Sequence, residues 1–546
     1  MDFIKQGLAE KQLLITYVVT ALLVSWATYF VGLGFYRVFL SPLAAFPGPK
    51  LAALTTWYQA YYDIWLHGQY FRRLDRIHEE YGPIVRINPH ELHVNDPFFI
   101  EELYSGSAKK RDKYKWVGRA TLRLYPRPAH FIIAKLIPTV PDSLVATVPH
   151  DHHRKRRAAI NPYFSKASIR KLDPVIQNTL VALLKRMDQS AKSPDVFHAS
   201  LAYKAVTCDI ITEFSFGVST DYMARNDYEH SFFKAVDDHL HMSWMMAYIA
   251  WLGPAMNSLP PSIMGLIYPG LKHLWNMHSQ WVKQIEKIRT QDKLNGNGTV
   301  FHGLLNSDLP PSEKTDQRLR QEAQLLVLAG QDTTAYTLSS LTYELLANHE
   351  ILQKLKEELE GALPDLNTPF TSAQLEQLPY LTGIIQEGIR LHPGAIIRQT
   401  RIAPEQNMIY RDACTEKEWV IPAGVPVSMD ARSCNLNPKV FVDPHKFIPE
   451  RWLENPRLDK YMLTFSRGTR MCLGMNLAYS ELYIIIAEIF RRYELYDGTD
   501  QQTAPTLALY DTIRERDVDI MSDWNIPFPT KGSKGIQVKV GRSWVD

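Results

Sequence analysis

The chain has 546 residues, 45% of them hydrophobic, with 61 Lys and Arg against 58 Asp and Glu for a net charge of +3. That balance gives no electrostatic reason to expect a nucleic-acid partner, and that hydrophobic content supplies a large folded core. Four cysteines, Cys208, Cys414, Cys434 and Cys472, are too few in so long a chain for a disulfide scaffold and fit a reducing compartment.

Residues 13–36 carry no charge and are bracketed by Lys11 and Arg37. A helix over that run is about 36 Å long, enough to cross a bilayer. It exceeds the roughly 7–15 apolar residues of a cleaved signal peptide. We therefore read residues 1–12 as a short leading segment and 13–36 as a transmembrane anchor. Lys5 and Lys11 before the run and Arg37 and Lys50 after it leave its orientation open. Three prolines between Ser41 and Lys50 predict a stiff, non-helical hinge over 37–50. The main folded domain is expected over 51–546.

Residues 69–81 predict a helix. Pro83–Asn88 and Glu91–Asn95 predict two short strands turning at Pro89-His90. Residues 104–150 are irregular and rich in Pro and aromatic side chains, the pattern of a functional loop or lid. His150-Asp-His-His-Arg-Lys-Arg-Arg157 opens a helix. Three close histidines suggest a metal site, but the four cations that follow would repel a metal ion. A solvated basic face is the other reading of these residues alone. Residues 166–295 are mostly helical, with breaks at Pro174, Gly253-Pro254 and Pro260-Pro261. The aromatic and Met-rich run 242–256 reads equally as core or as an apolar surface. A glycosylation sequon at Asn297 matters only in a lumenal domain.

A long helix is expected over 313–349, centred on Ala329-Gly-Gln-Asp-Thr-Thr334. Gly330 costs a helix about 1 kcal/mol relative to Ala. A Thr hydroxyl can bond a carbonyl one turn back and open the helix locally. Apolar periodicity continues on both sides, which makes an ordinary N-cap a poor reading, so Asp332 and Thr333 are candidate functional residues. A further helix over 374–391 ends before Pro393 and carries Glu387 and Arg390 on one face. Arg398–Arg401 is strand-like, and Pro449-Glu-Arg-Trp452 follows some 50 residues later.

The stretch Phe465-Ser-Arg-Gly-Thr-Arg-Met-Cys-Leu-Gly474 leads into an apolar-periodic helix. Gly468 permits a turn with positive φ. Cys472 sits just before the helix N-terminus, where free N–H groups and the dipole favour a thiolate. A thiolate held there, beside arginines that pair carboxylates, suits a haem iron with its propionates. A buried structural cysteine is the competing reading.

The spacing at Phe465, Gly468, Arg470, Cys472 and Gly474, with small Ala478 beyond, resembles the haem-binding loop of the cytochrome P-450 family. The order of anchor, hinge, basic helix, Asp-Thr helix, Glu-x-x-Arg, Pro-Glu-Arg and Cys loop is similar to that family from the N-terminus to about residue 540. Ala158-Ala-Ile-Asn-Pro-Tyr-Phe-Ser165 resembles its fungal microsomal members. The resemblance implies a mainly α fold with a small β region and a haem b cofactor. Cys472 would be the iron's axial ligand. His153, Arg157, Arg401 and Arg470 would hold the propionates, His153 standing where many members have Trp. Phe465 would pack near the sulfur, with Gly474 closing the loop. Asp332 and Thr333 would be an acid–alcohol pair that delivers protons. Glu387, Arg390 and Arg451 would form a buried structural triad. Ala395, Ile396 and Ile397 would face the substrate, and 242–256 would roof it.

The activity implied is a membrane-anchored monooxygenase that hydroxylates or epoxidises an apolar small molecule in fungal secondary metabolism, such as terpenoid or polyketide tailoring. No Gly-x-Gly-x-x-Gly fingerprint follows a strand, so electrons would come from a separate partner. That partner would be NADPH–cytochrome P-450 reductase, with cytochrome b5 as an additional donor. The setting implied is the endoplasmic reticulum membrane, single-pass, with the catalytic domain cytosolic. A haem-thiolate isomerase or dehydratase is one rival, although such relatives often lack the acid–alcohol pair. A non-enzymatic haem sensor or electron carrier is the other.

Overall fold

A computed structural model describes residues 2–116, 140–193, 195–290, 298–413, 415–498 and 502–541. Cys414, the sequon at Asn297 and part of the irregular stretch 104–150 lie outside the described residues.

Helix α1 spans Asp2–Phe35 and passes into a π-helical turn, Tyr36–Leu40. The apolar stretch Glu10–Leu40 is long enough to cross a membrane, and none of its apolar window is buried against the rest of the chain. The helical path thus ends at Ser41, four residues past the expected boundary at 37. The proline stretch is docked as well as stiff. Leu43 and Phe46 are buried, and Phe46 stacks on Trp419 with ring centroids 5.2 Å apart. Arg86 N–H donates to Pro47 O at 2.7 Å, and its guanidinium donates to Arg37 O at 2.6 Å.

Helix α2, Tyr70–Tyr81, precedes the hairpin of β1, Ile84–Arg86, and β2, Leu92–Val94, as the sequence predicts. With β3, Asp112–Lys113, β4, Arg401–Ile402, and β5, Pro426–Ser428, they form a five-stranded sheet in the order β1-β2-β5-β4-β3. Register places His93 beside Ser428 and Lys113 opposite Arg401.

The remaining elements used below are helical: α3, His150–Ile160; α4, Ala199–Phe216; α5, His230–Leu240; and α6, Ser243–Tyr248. Then come α7, Asp316–Ala347, α8, Pro379–Leu391, α9, Ala431–Asn435, α10, Glu450–Glu454, and α11, Met475–Arg492. A C-terminal hairpin pairs β6, Ser522–Asp523, with β7, Pro527–Phe528. The expected helix 374–391 is two elements. Thr371 and Gln374 form a capping box that closes a short turn, Ser372–Leu375, and Pro379 starts α8. A proline lacks the N–H that an interior position must donate but suits a first turn. The run 242–256 divides: Trp244, Met246 and Ala247 are buried, while Trp251 is exposed.

Helix α7 is the axis of the core. Thr315 caps it by accepting from Arg318 N–H. It packs along α4, where Tyr203 and Thr342 hydroxyls meet at 2.8 Å and Thr207 donates to Gln331 O at 2.9 Å. Gly330 allows that approach, because a Cβ there would lie 2.8 Å from Ile211 Cγ1.

A chain started at Ser41 and one started at Pro47 should both lose membrane association, read by sedimentation with membranes. The Pro47 form also loses buried Leu43 and Phe46. Its unfolding free energy should be lower by about 3–6 kcal/mol, from roughly 1.5–3 kcal/mol per buried side chain, measured by denaturant titration.

Candidate active site

The loop before α11 is fixed by its own backbone. Cys472 N–H donates to Phe465 O at 2.7 Å. Gly468 takes φ +70°, and a Cβ there would stand 2.3 Å from Ser105 O and 2.4 Å from Tyr104 O. Glycine is required on both counts. The Phe465 ring packs on Tyr479 of α11, centroids 5.3 Å apart. Gly474 is the N-cap residue of α11, with ordinary φ −84°. The Cys472 thiol is exposed at its own surface, yet surrounding protein desolvates it, the mark of a group lining an interior slot. Burial pushes the thiol above its ordinary value, while the N–H groups of Gly474 and Met475 and the Arg157 guanidinium pull it down. The net shift is upward, so the helix N-terminus alone does not secure the thiolate expected from sequence. A coordinated metal cation deprotonates a thiol outright.

The Glu-x-x-Arg and Pro-Glu-Arg motifs meet as expected. Glu387 and Arg390 are fully buried, and Arg451 nearly so. Glu387 Oε1 accepts from Arg390 at 2.7 Å, Arg451 at 3.1 Å and Ile448 N–H at 2.9 Å. Its Oε2 accepts from Arg390 at 2.8 Å and the Trp452 indole at 2.9 Å. Arg390 also donates to the carbonyls of Asn435, Pro444 and Lys446. Asn435 passes the constraint on. Its amide donates to Arg390 O at 3.1 Å and Thr464 Oγ1 at 2.7 Å, and its carbonyl accepts from Leu463 N–H at 3.0 Å. The next residue is Phe465.

The cations named from sequence gather in one place. Arg157 donates to Met471 O at 2.6 Å. Arg470 donates to the carbonyls of Thr147 and Val148 at 2.7 and 2.6 Å. Arg401 donates to Ser466 Oγ at 3.2 Å. His153, on α3, is buried; burial first, then Arg470, Arg157, Lys113 and Arg401, bring its ring down to about 2. Sequence reasoning missed Lys113. Burial, with Arg401 and Arg470, brings its ammonium to about 7, and burial and Arg401 bring Arg470 to about 9. None of these four cations forms an ion pair with a carboxylate among the described residues, and the buried Arg470 Nε has no hydrogen-bond partner. Such a cluster fits a ligand that brings carboxylates. With a thiol facing the slot, the donor set fits haem, iron on sulfur and propionates on cations. Lys113 was legible only through strand register, which sets it opposite Arg401.

The acid–alcohol pair is not brought together. Thr333 is half-buried and donates to Ala329 O at 2.9 Å, the one-turn-back bond expected. Gly394 lies against it, a Cβ there falling 2.7 Å from Thr333 Cβ. Asp332 is buried and pairs with Lys204 of α4 at 3.2 Å. Lys204 is held in turn by Asp237 of α5 at 2.8 and 3.1 Å. Burial raises the Asp332 carboxyl and Lys204 lowers it, with the upward shift winning. Burial opposes the Lys204 ammonium, but Asp237 and Asp332 outweigh it. No spacing rule links Lys204 or Asp237 to the motif; only packing of α4, α5 and α7 does. The three apolar residues after Gly394 do not share a face either. Ile396 is buried with its N–H on Asn525 O, while Ile397 packs against the cluster of Trp244, Ala247 and Trp524. Alternation along an extended segment forces that split.

A family model for the cytochromes P-450 matches residues 47–510. The chain belongs to the cytochrome P-450 family. Membership implies a haem-iron cofactor. The chain is 40% identical to the cytochrome P-450 monooxygenase tpcC of Cochliobolus heterostrophus, over 95% of this chain and 96% of that one. It is 37% identical to the tryptophan 6-hydroxylase fscE of Fusarium equiseti, covering 93% and 94%. It is 36% identical to the N-acetyltryptophan 6-hydroxylase ivoC of Emericella nidulans, covering 95% and 96%. This cytochrome P-450 is a monooxygenase.

Glu387→Ala leaves two buried guanidinium groups uncompensated. It should cost about 3–5 kcal/mol of stability and release haem. The check is denaturant unfolding together with haem content on purification.

Proposed function

We propose that this cytochrome P-450 is anchored in the endoplasmic reticulum membrane by α1, faces the cytosol, and hydroxylates or epoxidises an apolar small molecule in fungal secondary metabolism. The observation that carries the reading is the Cys472 thiol on an interior slot ringed by Lys113, His153, Arg157, Arg401 and Arg470. The hydroxylase names of two full-length relatives support insertion of oxygen into a ring-bearing substrate. The donor set suits haem b. Electrons would come from NADPH–cytochrome P-450 reductase, with cytochrome b5 as an additional donor.

When bound, thiolate-ligated haem supplies reductive activation of dioxygen, the thiolate favouring O–O cleavage. The chain's own residues position that chemistry and move its protons. Gly474 and Met475 N–H groups would share the thiolate's negative charge, and the cation cluster would neutralise the two propionates. Thr333 commits its proton to Ala329 O, so its oxygen lone pairs are free to accept from a water and orient it. Asp332 would be a proton relay. Its carboxylate is tied to Lys204, so delivery would require it to take up a proton from solvent, swing protonated from Lys204 toward the Thr333 side, release the proton there and return as the carboxylate.

Reduced, CO-bound protein should show the red-shifted Soret band of thiolate-ligated haem, and Cys472→His should move it to the nitrogen-ligated position. An unmoved band would remove Cys472 from the iron.

Thr333→Ala should keep consuming NADPH with reductase present while releasing hydrogen peroxide in place of product. Thr333→Ser should restore part of the coupling. Asp332→Asn should slow turnover about 100-fold, the lower end for a lost general acid. Product, peroxide and NADPH measured together decide it, and full coupling in Thr333→Ala would exclude its assigned role.

A further inference from the structure

The segment that leaves α8, His392-Pro-Gly394, runs along one stripe of α7. Thr337 and Glu344 follow Thr333 by four and eleven residues, which puts the three within about 40° of one another around the helix axis. Each of them meets the segment. His392 Nε2 lies 2.8 Å from Glu344 Oε1. Thr337 Oγ1 lies 3.3 Å from His392 O and 3.2 Å from Thr333 O, so its single proton is shared between two carbonyls. Gly394 makes the closest approach. A Cβ on it would fall 2.7 Å from Thr333 Cβ, 2.8 Å from Thr333 O and 2.9 Å from Thr333 Cα.

Neither side of that contact is free to give. The segment is tied on both sides of Gly394: His392 N–H donates to Gly388 O at 2.8 Å, and Ile396 N–H donates to Asn525 O at 3.3 Å. Pro393 stiffens the path between them, and His392, Pro393 and Gly394 are all buried. Helix α7 is held on the side of α4. Gln331 O accepts from Thr207 at 2.9 Å, Asp332 pairs with Lys204, and Gly330 lies against Ile211. The turn 330–333 is therefore gripped from two sides, and each grip closes on a glycine. What a Cβ on Gly394 would strike includes the backbone of α7, which cannot rotate away as a flexible side chain could. A close-packed interior transmits such a displacement to its neighbours.

We propose that Gly394 is a positioning residue for Thr333. Its bare Cα lets the segment press this turn of α7 against α4, and that grip fixes where the Thr333 hydroxyl stands. The inference rests on the reading of Thr333 as the group that orients a water. Bulk at residue 394 shifts Thr333 and its bond to Ala329 O. The Cys472 loop is set separately, through Glu387 and Asn435, and stays in place.

The full-length, haem-loaded protein is compared as the native sequence, Gly394→Ala, Thr333→Ala and the double variant. Carbon monoxide is the probe: in the reduced protein its infrared stretching band responds to polar groups beside it. Gly394→Ala should keep the thiolate-type Soret band while its stretching band moves toward the position found for Thr333→Ala. Added to Thr333→Ala, it should move the band no further, because two changes that act through one hydroxyl are not additive. Product per NADPH should fall about tenfold in Gly394→Ala, within the 100-fold that a misplacement of about 1 Å can cost, with peroxide making up the difference. The double variant should couple no worse than Thr333→Ala.

An unmoved band or full coupling in Gly394→Ala, beside a moved band and lost coupling in Thr333→Ala, would overturn this inference alone. So would equal shifts in the two backgrounds, since residue 394 would then act by another route. A band unmoved and coupling intact in Thr333→Ala would remove the reading of Thr333 and this inference with it. If Gly394→Ala does not hold haem, Thr337→Val decides. It removes the shared proton and adds no bulk, so product per NADPH should fall about threefold, the weight of one hydrogen bond, and full coupling there would overturn the proposal.

Discussion

Glu387 has no contact with solvent, and its carboxylate accepts from two arginines, an indole and a backbone amide. A buried charge is tolerated only when paired and hydrogen-bonded throughout. Satisfying it draws α8, α10 and the segment between them to one point. Arg390 spends its remaining donors on the carbonyls of Asn435, Pro444 and Lys446, which fixes a loop with no regular structure of its own. Asn435 then sets Leu463 and Thr464, and the backbone reaches Cys472 with its sulfur at the head of α11. The triad touches nothing reactive, yet the position of Cys472 depends on it.

The slot is built the opposite way. Around Glu387 charge is balanced; around Cys472 it is not. Lys113, Arg157, Arg401 and Arg470 approach one another with backbone carbonyls and one hydroxyl for company, at the cost visible in the downward shifts of Lys113 and Arg470. A ligand carrying two carboxylates relieves that repulsion and binds the folded chain only, so its binding free energy adds to stability by linkage. If haem is that ligand, as proposed, its retention and the stability of the fold would be coupled through the same residues.

What was legible in the sequence was whatever local spacing dictates. The Cys loop, the Asp-Thr helix, Glu387 with Arg390, and the hairpin of β1 and β2 all stand where the spacing put them. The hinge and the 374–391 helix were mis-bounded because a π turn and a capping box carry no apolar periodicity. Lys113, Lys204 and Asp237 were invisible because each acts through strand register or helix packing, which join residues far apart in sequence. Along Ala395, Ile396 and Ile397 burial alternates, as an extended segment turns consecutive side chains to opposite sides.

The separation of Asp332 from Thr333 has a physical consequence. Adjacent helix positions point about 100° apart, so one faces α4 while the other does not. An Asp332 carboxylate turned permanently toward the Thr333 side would lose its ammonium partner while staying buried, which disfavours its ionised form. Pairing with Lys204 keeps the charge compensated. Lys204 is in turn held by Asp237, so Asp332 can leave without stranding a bare ammonium. In the proposed relay, the two-carboxylate clamp on Lys204 would lower the cost of the swing, and Asp237 would make α5 part of the proton path although no atom of it need touch substrate.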